Sequence, residues 1–236
     1  LARTSPSRGD NLGSNPSRST LNKMKYDQHF MIDFEVAKKI VSYLDLKENE
    51  KVLEIGAGKG ALTQFLKGKI TIVEVDKKLC KELKEKFPNV KIININILNY
   101  NGNFDKIISN VPYSICEPLM NKLLKMNFKK AILTVPDKFL EKGVLNLVMK
   151  HFFEINKIMN VNKHAFYPVP KVNSKVIEIK HKKLNEKEEL LKNIYIQSDK
   201  KLKNVLKEKL DLEFLEKRIY QMNFKEWQKL VNILGL

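Results

Sequence analysis

Two stretches of this chain place chemically useful groups at the ends of apolar runs. Glu54-Ile55-Gly56-Ala57-Gly58-Lys59-Gly60-Ala61 closes the run Lys51–Ile55, and Asn110-Val111-Pro112-Tyr113 follows Asp105–Ser109. Glycines after a strand let the backbone turn sharply and approach a bound ligand. The first stretch satisfies G-x-G-x-x-A, and Glu74 stands eighteen residues beyond Gly56 at the end of the next β-rich run. A carboxylate there accepts hydrogen bonds from both hydroxyls of a ribose, so the pair points to an adenosine-containing cofactor. Lys59 is followed by Gly60 rather than by Ser or Thr, so this is not a Walker phosphate loop. Glu54 would repel a pyrophosphate but suits the ammonium of a methionine moiety, which favours S-adenosylmethionine over a dinucleotide. His29, His151, His164 and His181 are scattered without the spacing of a zinc site, and no metal is expected.

Strand ends must hold such groups, and the hydropathy pattern supplies strands. Lys51–Ile55, Lys69–Val75, Val90–Ile95, Asp105–Ser109, Ala131–Val135 and Lys175–Lys180 read as strands. Helical spacing covers Phe34–Leu44, Ala61–Leu66, Lys77–Phe87 and Glu117–Met126. The alternation predicts βαβ units in an α/β fold with a mostly parallel sheet, whose ligands bind outside the carboxyl ends of its strands. After His181 the pattern becomes helical, over Leu184–Ile196, Asp199–Lys209, Leu212–Gln221 and Phe224–Leu234.

Bulk properties narrow the setting. Forty-four Lys and Arg against 27 Asp and Glu give a net charge of +17, and 43% apolar residues support a real core. Charge of this sign suits a polyanion such as nucleic acid or an anionic membrane surface. Residues 1–23 are rich in Ser, Asn, Gly, Pro and Arg, a composition that does not fold alone. They are read as a disordered extension or a cloning scar and carry a net +3, which leaves +14 for the rest. Two cysteines, Cys80 and Cys116, do not make a disulfide scaffold, which fits a cytoplasmic setting. No apolar run approaches the roughly 20 residues of a membrane span. The expected organisation is therefore an extension over 1–23, a cofactor-binding catalytic domain over 24–182 and a helical domain over 183–236. Nothing in the sequence demands more than a monomer.

Asn110-Val111-Pro112-Tyr113 after the fourth strand resembles the signature of S-adenosylmethionine-dependent methyltransferases that act on exocyclic amino groups of bases. Gln28-His29-Phe30-Met31, together with Phe166-Tyr167-Pro168-Val169-Pro170-Lys171-Val172-Asn173-Ser174, narrows the resemblance to the ribosomal RNA adenine N6,N6-dimethyltransferase family. It implies a Rossmann-like sheet with its last strand antiparallel, and a C-terminal helical domain that contacts RNA. The Asn110 side-chain oxygen and the Pro112 carbonyl would each accept one hydrogen of an adenine amino group. The amino nitrogen could then turn its lone pair toward the methyl donor. Tyr113 and Phe166 would stack on a flipped adenine. His29 and Met31 would lie against the methionine part of the cofactor, with Gly56 approaching through its backbone. Glu74 would take the ribose hydroxyls and Val75 would pack on the cofactor adenine. Asn96 stands where the family usually has Asp, and its amide oxygen still accepts the adenine amino group.

The resemblance has two branches. One modifies adjacent adenines near the 3′ end of small-subunit ribosomal RNA during ribosome biogenesis; the other, the erythromycin-resistance branch, modifies one adenine of the large-subunit RNA. Pro118 and Arg218–Leu234 look more like the first, whereas the short loop after Lys142 and the Ile97-Leu98 pair look more like the second. The small-subunit branch is the expectation, with ribosomal RNA or a subunit precursor as partner. A NAD-type oxidoreductase would use the same glycine turn but leaves Asn110–Tyr113 and Phe166 unexplained. An inactive RNA-binding assembly factor is the non-enzyme alternative, and intact Glu74, Asn110, Pro112 and Tyr113 argue against it.

Overall fold

The computed structural model describes residues 28–206 and 212–236. The expectation for residues 1–23 lies outside them, as does the end of the helix expected over Asp199–Lys209. Seven strands make the main sheet: β2 (Lys51–Ile55), β3 (Lys69–Glu74), β4 (Lys91–Asn94), β5 (Lys106–Asn110), β6 (Lys130–Pro136), β7 (Phe153–Val161) and β9 (Ser174–His181). Their spatial order is β4-β3-β2-β5-β6-β9-β7. β2 to β6 are mutually parallel, and β9 runs antiparallel to both neighbours, β6 and β7. This is the Rossmann-like α/β sheet with a reversed last strand. The central strands β2, β5 and β6 are buried along nearly their whole length, as expected where helices cover both faces of a parallel sheet. Two short strands, β1 (Phe30–Met31) and β8 (Phe166–Tyr167), pair separately.

Strand order reverses between β2 and β5, so the carboxyl ends of those two strands flank the crevice in which such folds hold ligands. Helix α1 (Phe34–Ser42) starts at Asp33, whose side chain accepts the Val36 N–H, and α2 (Lys77–Lys86) starts at Asp76, which accepts from Lys78 and Leu79. The helices α3 (Cys116–Leu123) and α4 (Gly143–Phe152) pack buried faces on the sheet. No α-helix forms over Ala61–Leu66; the chain makes a single 3₁₀ turn at Thr63–Phe65. Gly60 holds φ at +81°, Thr63 turns inward, and Leu66 is already extended.

Beyond β9, α5 (Glu186–Ile196) and α6 (Phe224–Ile233) each begin with a capping box, Asn185 with Glu188 and Asn223 with Glu226. Between them two expected helices are replaced by paired backbone. Leu202 N donates to the Lys217 carbonyl, Lys203 N to Leu215, Ile219 N to Lys200 and Tyr220 N to Ser198. These cross-segment bonds pair groups that a helix would have paired, and among the described residues of this stretch the helical turns are 3₁₀, at Leu202–Asn204 and Ile219–Gln221. Leu191, Ile194, Leu202, Phe214, Trp227 and Leu230 share one hydrophobic cluster with Leu119, Met120 and Phe152 of α3 and α4. The described residues after β9 are thus seated on the sheet's own core. No helix of the described residues is long and apolar enough to cross a membrane.

Candidate active site

One cavity of about 520 Å³ opens where the strand order reverses, and every residue expected at a site, Glu54 included, lines it. Its size falls within the roughly 300–1,000 Å³ usual for ligand pockets. Its first half is built on backbone. Strand β2 runs into Gly56, whose φ of +64° is costly for any residue with a side chain and whose Cβ position faces open space. Gly56 N donates to the Val73 carbonyl, which fixes the turn against β3. Glu74, 4% exposed at the end of β3, accepts the N–H of Gly58 at 3.1 Å and that of Asp76 at 3.0 Å. The glycine turn is therefore tied to the acid across the cavity floor.

Glu54, 1% exposed, accepts the Thr63 hydroxyl at 2.7 Å. Burial pushes its carboxyl up to about 7; the Thr63 hydroxyl opposes the shift, and the nearby Glu74 charge adds to it. Val75 also lines the cavity and is exposed. Asn96 is exposed as well, and its side-chain oxygen accepts the Leu98 N–H at 2.9 Å, capping the short turn Ile97–Asn99. That use leaves the oxygen a second lone pair.

The second half is assembled from distant segments. Asn110, the last residue of β5, donates from Nδ2 to the His29 carbonyl at 3.0 Å. This fixes the amide orientation and leaves the side-chain oxygen as an acceptor. His29 Nδ1 is 2.7 Å from the Pro168 carbonyl, and its ring lies 5.7 Å from that of Tyr113. The Tyr113 hydroxyl is hydrogen-bonded to Ser174 Oγ at 2.7 Å. In the β1–β8 pair, Met31 stands opposite Phe166, and both are buried while lining the cavity. The His29 imidazole is thus engaged with the segment that carries Phe166, in addition to lining the cavity near Met31.

The Pro112 carbonyl differs in its use from the expectation. It accepts the Ile115 N–H at 3.0 Å and the Cys116 thiol at 3.8 Å, because Pro112 begins the 3₁₀ turn Tyr113–Ile115. The carbonyl one residue earlier, on Val111, accepts no hydrogen bond among the described residues. Val111 N donates to the Thr134 carbonyl, so this peptide continues the β5–β6 ladder on one side only. Sequence reading passed over Ser174 as a partner of Tyr113, and passed over the open carbonyl of Val111, a main-chain group with no side-chain signature. Ser174 could have been flagged as the polar residue closing the Phe166–Ser174 motif.

A sequence profile of the ribosomal RNA adenine dimethylase family matches residues 19–232. The ribosomal RNA small subunit methyltransferase A of Borreliella burgdorferi is 33% identical over 246 residues, covering 89% of this chain and 88% of that protein. The protein of the same name from Thermotoga neapolitana is also 33% identical, covering 89% of this chain and 91% of its own. Among solved structures, a dimethyladenosine transferase from Plasmodium falciparum superposes with a TM-score of 0.62 at 23% identity, over 88% of this chain and 99% of that one. The 23S rRNA methyltransferase ErmE gives 0.63 at 20% identity, over 88% and 100%. At these identities the two structures speak to the fold alone.

Proposed function

The chain belongs to the ribosomal RNA adenine dimethylase family, and from that premise we propose that it dimethylates the amino nitrogens of adenines near the 3′ end of small-subunit ribosomal RNA. The small-subunit assignment is supported by the sequence relatives, which match at 33% identity over nearly their full length. The observation that carries the chemistry is Asn110, held by the His29 carbonyl with its side-chain oxygen left free beside the cavity.

S-adenosylmethionine fits the first half of the cavity. Gly56 leaves open the space a Cβ would fill, and the Glu74 carboxylate keeps lone pairs beyond those used by Gly58 and Asp76. Glu74 would take the ribose hydroxyls, Val75 and Asn96 the adenine, and Met31 with Gly56 the methionine end. Glu54, which also lines the cavity, would answer the ammonium. When bound, this cofactor supplies a methyl group on a sulfonium, already a strong electrophile.

An adenine amino nitrogen is a poor nucleophile because its lone pair is delocalised into the ring. The chain's task is to draw the two N–H bonds out of the ring plane, so that the nitrogen becomes more tetrahedral and its lone pair localises toward the methyl donor; the amino proton leaves after the attack. We assign one acceptor to the Asn110 side-chain oxygen and the other to the open Val111 carbonyl. Pro112, with φ fixed at −56°, shapes the turn that presents Tyr113. Tyr113 and Phe166 would hold the flipped base between them, stacking worth roughly 1–3 kcal/mol per base. The basic segments Lys200–Lys203 and Lys217–Arg218 of the C-terminal part would hold RNA phosphates.

Methyl transfer from labelled S-adenosylmethionine to separated small and large ribosomal particles lacking these modifications tests the proposal. Label confined to small-subunit RNA, with primer-extension stops at adjacent adenines near its 3′ end, is expected. Label in the large subunit alone, or in neither, would overturn it.

A further inference from the structure

Buried main-chain carbonyls are almost always paired, so the open carbonyl of Val111, a residue 2% exposed, needs a reason. The ladder supplies it. β5 and β6 are parallel with Asn110 opposite Thr134, and the last observed bond runs from Val111 N to the Thr134 carbonyl. In a parallel pair, evenly spaced bonds alternate sides along each strand, so the next bond of this series would run from the N–H of residue 136 to the Val111 carbonyl. Residue 136 is proline and has no N–H. β6 continues through Pro136 on its other side, where Pro136 stands opposite Ser174 of β9, and Asp137 N donates to the Asn173 carbonyl. Pro136 is therefore held in register by β9 while being unable to donate toward β5.

We propose that Pro136 is a positioning residue for methyl transfer: by withholding one ladder hydrogen bond it keeps the Val111 carbonyl open as the second acceptor for the adenine amino group. This rests on the base-methylation reading above. A donor at 136 would pair with the carbonyl, draw it into the sheet and compete with the substrate for it. The same pair of strand ends also carries Ser174, whose hydroxyl holds Tyr113, so β6 and β9 together frame the turn Asn110–Tyr113.

The N–H itself can be tested. P136A restores the donor, and its ester counterpart, with lactic acid incorporated at position 136, has the same side chain and no N–H. Methyl transfer to small ribosomal particles by P136A should be roughly tenfold slower than by the ester form, with equal affinity for S-adenosylhomocysteine. Equal rates in the two variants would overturn the proposal, whereas an inactive wild-type chain would overturn the base-methylation reading instead. Should neither variant fold, the carbonyl ¹³C resonance of Val111 in the wild-type chain decides. It should shift on addition of substrate RNA in the presence of S-adenosylhomocysteine, and an unmoved resonance with bound RNA would defeat the idea.

Discussion

The two halves of the cavity are made in different ways. The half formed by Glu54, Gly56, Gly58 and Glu74 comes from one strand-turn-strand unit, with β2 and β3 adjacent and parallel. Its hydrogen bonds span short stretches, 16 residues from Gly58 to Glu74 and 9 from Thr63 to Glu54. The half formed by His29, Asn110, Tyr113 and Phe166 is tied by bonds that span 81, 139 and 61 residues. The first half follows from local backbone conformation. The second exists only when four separate segments reach the same place together. Damage to the first should therefore appear as lost cofactor affinity, and damage to the second as lost turnover with cofactor binding retained.

The sharpest break in this contrast is at Asn110. N110A should lower kcat/KM by about 10²–10³, comparable to losing one preorganised hydrogen-bonding group at a reacting centre. Its affinity for S-adenosylhomocysteine, measured by calorimetry, should stay within a few-fold of wild type. N110D keeps an acceptor oxygen but faces the His29 carbonyl with a second acceptor in place of the Nδ2 donor, so it should be impaired nearly as far. Wild-type turnover in N110D would show that the His29 bond does not orient the amide.

At the other half the effect should invert. E74Q removes the charge that accepts two turn N–H groups and, by the proposal, the ribose hydroxyls. Binding of S-adenosylhomocysteine should weaken by about 10–100-fold, since hydrogen bonds to charged groups are worth about 1.5–3 kcal/mol. With saturating cofactor, kcat should recover most of its value. A kcat that stays low would place Glu74 in the chemical step and erase the distinction.

This contrast also explains what could be read from the residues. The strand ends, the glycine turn and Glu74 were legible because hydrophobic runs and glycine spacing are local signals. The grouping of His29, Asn110 and Phe166 was legible only through resemblance, since no periodicity in the chain predicts that β1 pairs with β8. Leu202 and Leu206 gave helical spacing, yet their segment paired instead with Leu215–Lys217, because burial of Leu202 and Phe214 in the core outweighed local propensity. The hydrogen bond that the Pro112 carbonyl already accepts was not legible for a related reason: the short turn that makes it appears only once Ile115 N is placed.

Glu54 offers a subtler probe of the locally built half. With its carboxyl pushed up to about 7, it is mostly protonated at pH 6 and mostly ionised at pH 8. If it answers the cofactor ammonium, affinity for S-adenosylhomocysteine should rise by up to about tenfold over that range, and E54Q should flatten the rise. Stability of the ligand-free chain should run the opposite way. The folded state holds this proton up to about 7, whereas its ordinary value is 4.5, so the contribution is full below 4.5 and is lost as pH rises through 7. Denaturant titrations of wild type and E54Q should therefore diverge across that window. A wild-type pH slope retained in E54Q would remove Glu54 from both roles.

The smallest expected effect tests whether the distant half works as a linked frame. Ser174 is 1% exposed at the start of β9, a strand hydrogen-bonded on both sides, and its hydroxyl meets that of Tyr113. S174A and Y113F each delete this hydrogen bond while keeping the ring and the strand. Each should lower kcat/KM by about fivefold, the size of one hydrogen bond of about 1 kcal/mol. Because both remove the same interaction, the double variant should be no worse than either single one, a coupling that separate structural injuries would not produce. Additive losses in the double variant would mean that the hydroxyls act independently. The frame would then be held by the contacts of the His29 ring with Tyr113 and Pro168, and H29A, which removes both while keeping the main-chain carbonyl that Asn110 uses, would become the more damaging change.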